Sequence, residues 1–208
     1  MTTNQKSTVN PCRFVVLSLT VCILAVCTGC HTVKFSYDPG VAPAPTLPCP
    51  VALSLSKEFI TYTHVTPQVP FVSDQYTAPF GPALQKYAIY VAHSVFGNVQ
   101  VLDGGQSPLG NAKLLLVPRV TSSDLQPPFK RVAVSSGTLG VHWDFNDPKT
   151  GQTLFSMQVQ CEATHSAHDS KGFDAAFPYV VDDLMTSLTS KTIQRFNASK
   201  DIQRLSGH

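Results

Sequence analysis

Apolar positions change their period several times along the chain, and each change marks an element. Val51, Leu53 and Leu55 alternate with Ala52, Ser54 and Ser56, a period of two that predicts a first strand. Phe59 to Val65 extends or follows it, and Thr66 to Pro79 has no clear period, which predicts a long loop. From Pro79 to Phe96 the period becomes helical. Phe80, Ala83, Leu84, Tyr87, Ala88, Val91, Ala92 and Val95 form one stripe, with Pro79 near the start and Gly97 placed as a C-terminal cap. Ala112 to Val117 is nearly continuous apolar, as in a central strand covered on both faces and ended by Arg119. Over 132 to 145, Leu139, Val141, Trp143 and Phe145 share one side, while Thr138, Gly140, His142 and Asp144 share the other. Asn146 to Gly151 supplies turn residues, and Phe155, Met157, Val159 and Cys161 resume the alternation, so an antiparallel hairpin is predicted. A last helix runs from Asp174, as cap, to Phe196, with Pro178 in its first turn or at a kink, and the tail from Lys200 is expected to fray. The order β-α-β-β-β-α predicts an α+β domain of two layers, a mixed and mostly antiparallel sheet of about four strands with two helices on one face.

Ahead of this domain lies a different pattern. Polar residues end at Arg13, and the thirteen residues Phe14 to Val26 carry no charge. A helix of that length spans about 20 Å, too short for a hydrocarbon core of about 30 Å, so the segment is expected to be a signal-peptide core rather than a permanent span. Cys27-Thr28-Gly29-Cys30 follows and resembles the bacterial lipobox, with small residues before the cysteine and Cys27 where that motif usually has Leu. A cut before Cys27 would place bulky Val26 at the cleavage site, which favours Cys30. The resemblance implies removal of residues 1–29 and a lipid on Cys30. It also favours the outer membrane, because His31 stands where an Asp marks inner-membrane retention. An ordinary secretory signal or an uncleaved anchor is the alternative, and each would still export the domain.

Between Asp38 and Pro50 five of thirteen residues are proline, which excludes helix and predicts an extended spacer. Residues 30–50 are thus expected to be a tether, 51–200 the periplasmic domain and 201–208 a tail, although Val41 and Leu47 leave open a segment packed against the domain. Charged residues are only 13% of the chain. Lys6 and Arg13 fall in the leader, so 15 − 2 = 13 basic residues face 13 acidic ones in the rest, a net charge of zero. That balance argues against nucleic acid and anionic headgroups as partners, since a phosphate-binding surface needs clustered Lys and Arg.

The lipobox, the proline-rich segment, the Phe80 to Phe96 helix, the Ala112 to Val117 strand, the Asp147 to Leu154 turn and the closing helix after Phe173 together resemble small α/β envelope lipoproteins of the transport-auxiliary and lipopolysaccharide-assembly type. The resemblance implies a non-enzymatic accessory subunit that docks on another envelope protein. A regulator of cell-wall synthesis, an oligomeric secretion-pore subunit and, more remotely, a periplasmic hydrolase are alternatives.

Candidate chemistry is sparse. His165, His168 and Asp169 offer metal-ligand atoms, but no partners at defined spacing complete the three or four that zinc needs, so no metal and no cofactor are expected. His142 and Asp144 face the same way on one strand, either as an acid–base pair or as plain solvent-side residues. Ser107 lies in a near miss for the hydrolase elbow, with Leu109 where a glycine belongs. Pro127, Pro128 and Phe129 present an aromatic beside two prolines, either a docking knob for a partner or a Phe folded back on the core. Once Cys12, Cys22 and Cys27 leave and Cys30 is lipidated, Cys49 and Cys161 remain in an oxidising compartment, and a disulfide between them is expected unless both are free thiols.

Overall fold

The computed structural model describes residues 30–67, 75–102, 110–126, 134–166 and 173–207. Its main body is a five-stranded sheet. β2 (Leu47–Ser54) lies between β5 (Phe96–Leu102) and β6 (Leu114–Gln126), parallel to both, and β7 (Val134–Asn146) and β8 (Thr153–Ser166) continue the sheet antiparallel, giving the order β5-β2-β6-β7-β8. A smaller sheet joins β1 (Cys30–Thr32) parallel to β4 (Gln75–Ala78), which also pairs with β3 (His64–Val65). Among the described residues there are four helices: α1 (Lys57–Ile60), α2 (Gly81–Val95), α3 (Phe173–Ala198) and α4 (Lys200–Leu205).

The class is the expected α+β, with mixed sheets. Two sheets of three and five strands stand where one sheet of about four was expected. The strand missed in the main sheet is β5. It starts at the residue after α2, because α2 ends at Val95 and Phe96 is already extended. Gly97 is therefore not a helix cap. A β-carbon there would lie 3.2 Å from the α-carbon of Pro48, so glycine lets β5 approach β2 closely. β2, α2 and β5 make a parallel crossover unit, and α2 buries the stripe the sequence shows, from Ala83 to Val95.

Among the described residues the helices cover one face of the main sheet. Leu114 and Leu116 are buried and Leu115 and Val117 half-buried, so β6 alternates and is not enclosed on both sides. Arg119 does not end that strand, which continues to Gln126. The β7–β8 hairpin forms as expected. Its turn is closed by the carboxylate of Asp147, which accepts from the N–H groups of Lys149 (2.7 Å) and Thr150 (2.9 Å), and by Gly151 at a φ of +71°.

α3 begins at Phe173, one residue before the expected cap, and holds Pro178 beyond its first turn, where the missing N–H leaves one helix bond unmade. The tail is not frayed. Ser199 caps α4, accepting from the N–H of Ile202, and Ile202 is buried. Much of the expected tether also belongs to the fold: Val33 and Tyr37 are buried, and Leu47 and Cys49 are core residues of β2. Prolines are tolerated because the segment is extended, with Pro48 exposed and Pro50 half-buried in β2.

In the core, the indole N–H of Trp143 donates to the hydroxyl of Tyr87 (3.1 Å), which donates to Thr192 (2.8 Å), which donates to the carbonyl of Leu188 (2.7 Å). One relay thus joins β7, α2 and α3. Tyr37 makes the corresponding bond from the N-terminal segment to Thr189, whose hydroxyl donates to the carbonyl of Met185. Phe196 meets Trp143 and Phe145 edge-on, each at 5.2 Å between centroids.

Candidate functional site

Strand alternation sends one set of side chains to the face that none of the described helices covers. Arg119 of β6 pairs directly with His142 of β7, and Asp144 of β7 with Ser156 of β8, so four polar residues from three strands meet on that open face. Asp144 is their centre. Its Oδ1 accepts from the Ser156 hydroxyl at 2.6 Å and lies 3.0 Å from Nε2 of His142, while Oδ2 lies 3.2 Å from the Arg119 guanidinium. Although no helix lies over it, Asp144 is 8% exposed. Burial alone would raise its carboxyl. The Ser156 hydroxyl, the His142 ring and the Arg119 charge outweigh that and hold it below the usual carboxylate range.

This arrangement fixes an anion in place. In acyl-transfer chemistry the hydroxyl faces the imidazole, which removes its proton, and the carboxylate stands behind the imidazole. Here the hydroxyl of Ser156 gives its hydrogen to the carboxylate itself, and the same oxygen faces His142. The cluster is a fixed pattern of charge on a rigid sheet, with Gln158 beside it reaching Thr121. His142 and Asp144 were visible as a pair in the sequence. Nothing in the sequence joins Arg119 and Ser156 to that pair, yet the register of two antiparallel ladders supplies them, since each sits across from one of its members.

Of the other residues singled out in the sequence, those that are described lie elsewhere in the fold. Cys30 is the first residue of β1, where its backbone pairs with Gln75. His165 lies at the end of β8 rather than in a loop, stacked on Tyr179 at 4.9 Å between centroids and 3.8 Å from the carboxylate of Asp183. His168 and Asp169, Ser107, and Pro127, Pro128 and Phe129 lie outside the described residues. Among the described residues no three His, Cys, Asp or Glu side chains gather as a metal site.

The expected Cys49–Cys161 bridge is corrected. Both thiols are free and buried. Cys49 is on β2 and Cys161 on β8, with β6 and β7 between them. Three strand spacings of about 4.8 Å put their strands about 14 Å apart. The register adds to this, because Cys49 lies near the start of β6 and Cys161 lies across from Leu139 and Ser123 near its end, so they stand well beyond the roughly 7 Å that a disulfide spans between α-carbons. The Cys161 thiol instead donates to the carbonyl of Leu184 at 3.3 Å, and burial pushes its pKa up to about 11.

Near Cys30, the segment Thr32–Tyr37 and the start of α2 enclose a cleft of about 350 Å³, lined by Phe35, Pro79, Pro82 and Ala83 with Lys34 and Lys86 at its rim.

No family model matches the sequence, and no curated protein matches it. Solved structures share parts of its arrangement at low identity. A Xanthomonas campestris protein of the DUF330 family is 11% identical, with 82% of this chain and all of that one covered at a TM-score of 0.43. Lipoprotein GNA1162 from Neisseria meningitidis is 12% identical, with 72% of this chain and all of that one covered at a TM-score of 0.36. The PelC dodecamer from Paraburkholderia phytofirmans is 13% identical, with 72% of this chain and 94% of that one covered at a TM-score of 0.33. At this level of likeness the functions of those proteins do not transfer to this chain.

Proposed function

We propose that the chain is a bacterial envelope lipoprotein, held on a membrane by acyl chains on Cys30, and that its domain acts as a non-enzymatic accessory subunit docking on another envelope protein. The leader carries this reading: a polar start ending at Arg13, the uncharged run Phe14 to Val26 and Thr28-Gly29-Cys30. His31 favours the outer membrane. Among the described residues no helix is long and apolar enough to cross a membrane. The open face supports a binding role, because a carboxylate, a guanidinium and an imidazole are held there by strand register, in the mixed charge that suits a protein partner better than a phosphate backbone. With Cys30 opening β1, the lipid holds the domain close to the bilayer and leaves little free spacer.

Two measurements test the reading. Cells fed a fatty-acid analogue are expected to label the wild-type chain and not Cys30→Ala; equal labelling overturns the anchor. A photoreactive residue at position 119 is expected to cross-link to an envelope protein in intact cells. Turnover of an esterase, phosphatase or peptidase substrate that is lost in Asp144→Asn or His142→Ala overturns the non-enzymatic role.

A further inference from the structure

β8 is an edge strand of fourteen residues, and no strand among the described residues pairs with its outer side. Such an edge offers a row of unpaired N–H and C=O groups to any other strand, and soluble proteins guard against this with lysines, prolines, bulges or a covering element. β8 carries neither lysine nor proline, and Glu162 is its one residue with a formal charge. From Phe155 to Ser166 the ladder with β7 has no bulge. One carbonyl is guarded: Arg195 of α3 reaches round and donates to Gln158 at 2.8 Å. That bond also fixes which main-chain groups face outward. In an antiparallel strand the direction alternates, so Ser156, Gln158, Gln160 and Glu162 point away from β7.

The side chains along this edge are complementary to themselves. We propose that β8 pairs antiparallel with β8 of a second copy, about a two-fold axis at Val159, joining two five-stranded sheets into one of ten strands. In that register Gln158 faces Gln160 of the partner copy and Ser156 faces Glu162, both as hydrogen-bonded pairs, and the guanidinium of Arg195 gives way to a backbone N–H. On the helix-covered face the largest residue meets the smallest: Phe155 lies opposite Ala163 and Met157 opposite Cys161. Phe155, Met157 and Ala163 are half-buried in the single chain, and pairing completes their burial. The one formal charge never meets its own copy, so like charges do not oppose each other, which would weaken the pair. An isologous contact of this kind closes on itself and stops at two copies.

The full chain, extracted from membranes in detergent, is expected to sediment as a dimer. Gln160→Pro is expected to make it monomeric with an unchanged melting temperature, because the N–H it removes faces away from β7 and an edge strand tolerates proline there. Should that variant fail to fold, Gln158→Lys/Gln160→Lys keeps every main-chain donor and sets lysine against lysine across the axis, with an expected rise in the dissociation constant of at least about tenfold. Chains with Gln158→Cys mixed with chains carrying Gln160→Cys are expected to form a mixed disulfide. A monomeric wild type, or a dimer that survives the double lysine variant, overturns the proposal.

Discussion

Trp143 donates its indole N–H to the hydroxyl of Tyr87, and this bond, 3.1 Å long and fully buried, ties the middle of the sheet to the middle of α2. The hydroxyl is both acceptor and donor, passing its own hydrogen to Thr192. Tyr87→Phe keeps the ring and its edge-on contact with Trp143 but strands the indole N–H. A loss of about 1–3 kcal/mol in unfolding free energy is expected, the cost of a buried donor left without a partner. Urea denaturation measures it, and a change under about 0.5 kcal/mol would show that the relay contributes little.

The thiols give a second expectation. Denatured, unreduced protein carrying lipid on Cys30 is expected to titrate two free thiols per chain, Cys49 and Cys161. In the native state both are expected to react slowly, since burial raises each pKa and only the thiolate attacks. Fast modification of the folded protein, or a count of zero after denaturation, contradicts the geometry.

Two glycines should respond very differently to alanine. A β-carbon on Gly81 would stand 2.1 Å from the carbonyl oxygen of Ile60, which is backbone and cannot move aside cheaply, whereas one on Gly110 meets nothing within 4 Å. Gly81→Ala is expected to lower stability by at least about 2 kcal/mol through overpacking, and Gly110→Ala to stay within about 0.5 kcal/mol. Thermal melts of the pair check this directly.

Acid should act on two carboxylates with opposite sign. Asp144 is held below its ordinary pKa in the folded protein, so its contribution is present above the unfolded value near 4 and is lost as pH falls through the folded value. Asp182 is raised, by burial first and by the neighbouring Asp183, against a hydrogen bond from the backbone of Ser36. Its contribution is present below the unfolded value and lost as pH rises through the folded one. Asp144→Asn is therefore expected to flatten the loss of stability below about pH 4, and Asp182→Asn to raise stability at pH 7. Melting temperatures across pH 3 to 7 separate the two, and curves parallel to the wild type would refute both assignments.

Periodicity made α2, the β7–β8 hairpin and the class of fold legible, because in each a single face is buried and the apolar spacing states which. It failed where contacts between distant segments decide. Gly97 has the composition of a cap and the position of one, but what demands glycine is the backbone of Pro48, about fifty residues earlier. The proline-rich run resembles a spacer, yet alternate residues of it, Leu47 and Cys49, face the core. The open-face cluster was half legible: spacing puts His142 and Asp144 on one side of a strand, while Arg119 and Ser156 join them only through register with two other strands, which no local pattern reports.

The position of Cys30 has a mechanical consequence. With the proposed lipid on Cys30, a pull applied at that residue runs along β1 and loads its three-residue parallel ladder with β4 in shear. Next along the path come Val33, whose N–H is bonded to the carbonyl of Thr77, and Tyr37, bonded to Thr189 of α3. Tension applied at Cys30 thus reaches α3, the longest of the described helices, within eight residues of its point of application, through the Tyr37–Thr189 bond.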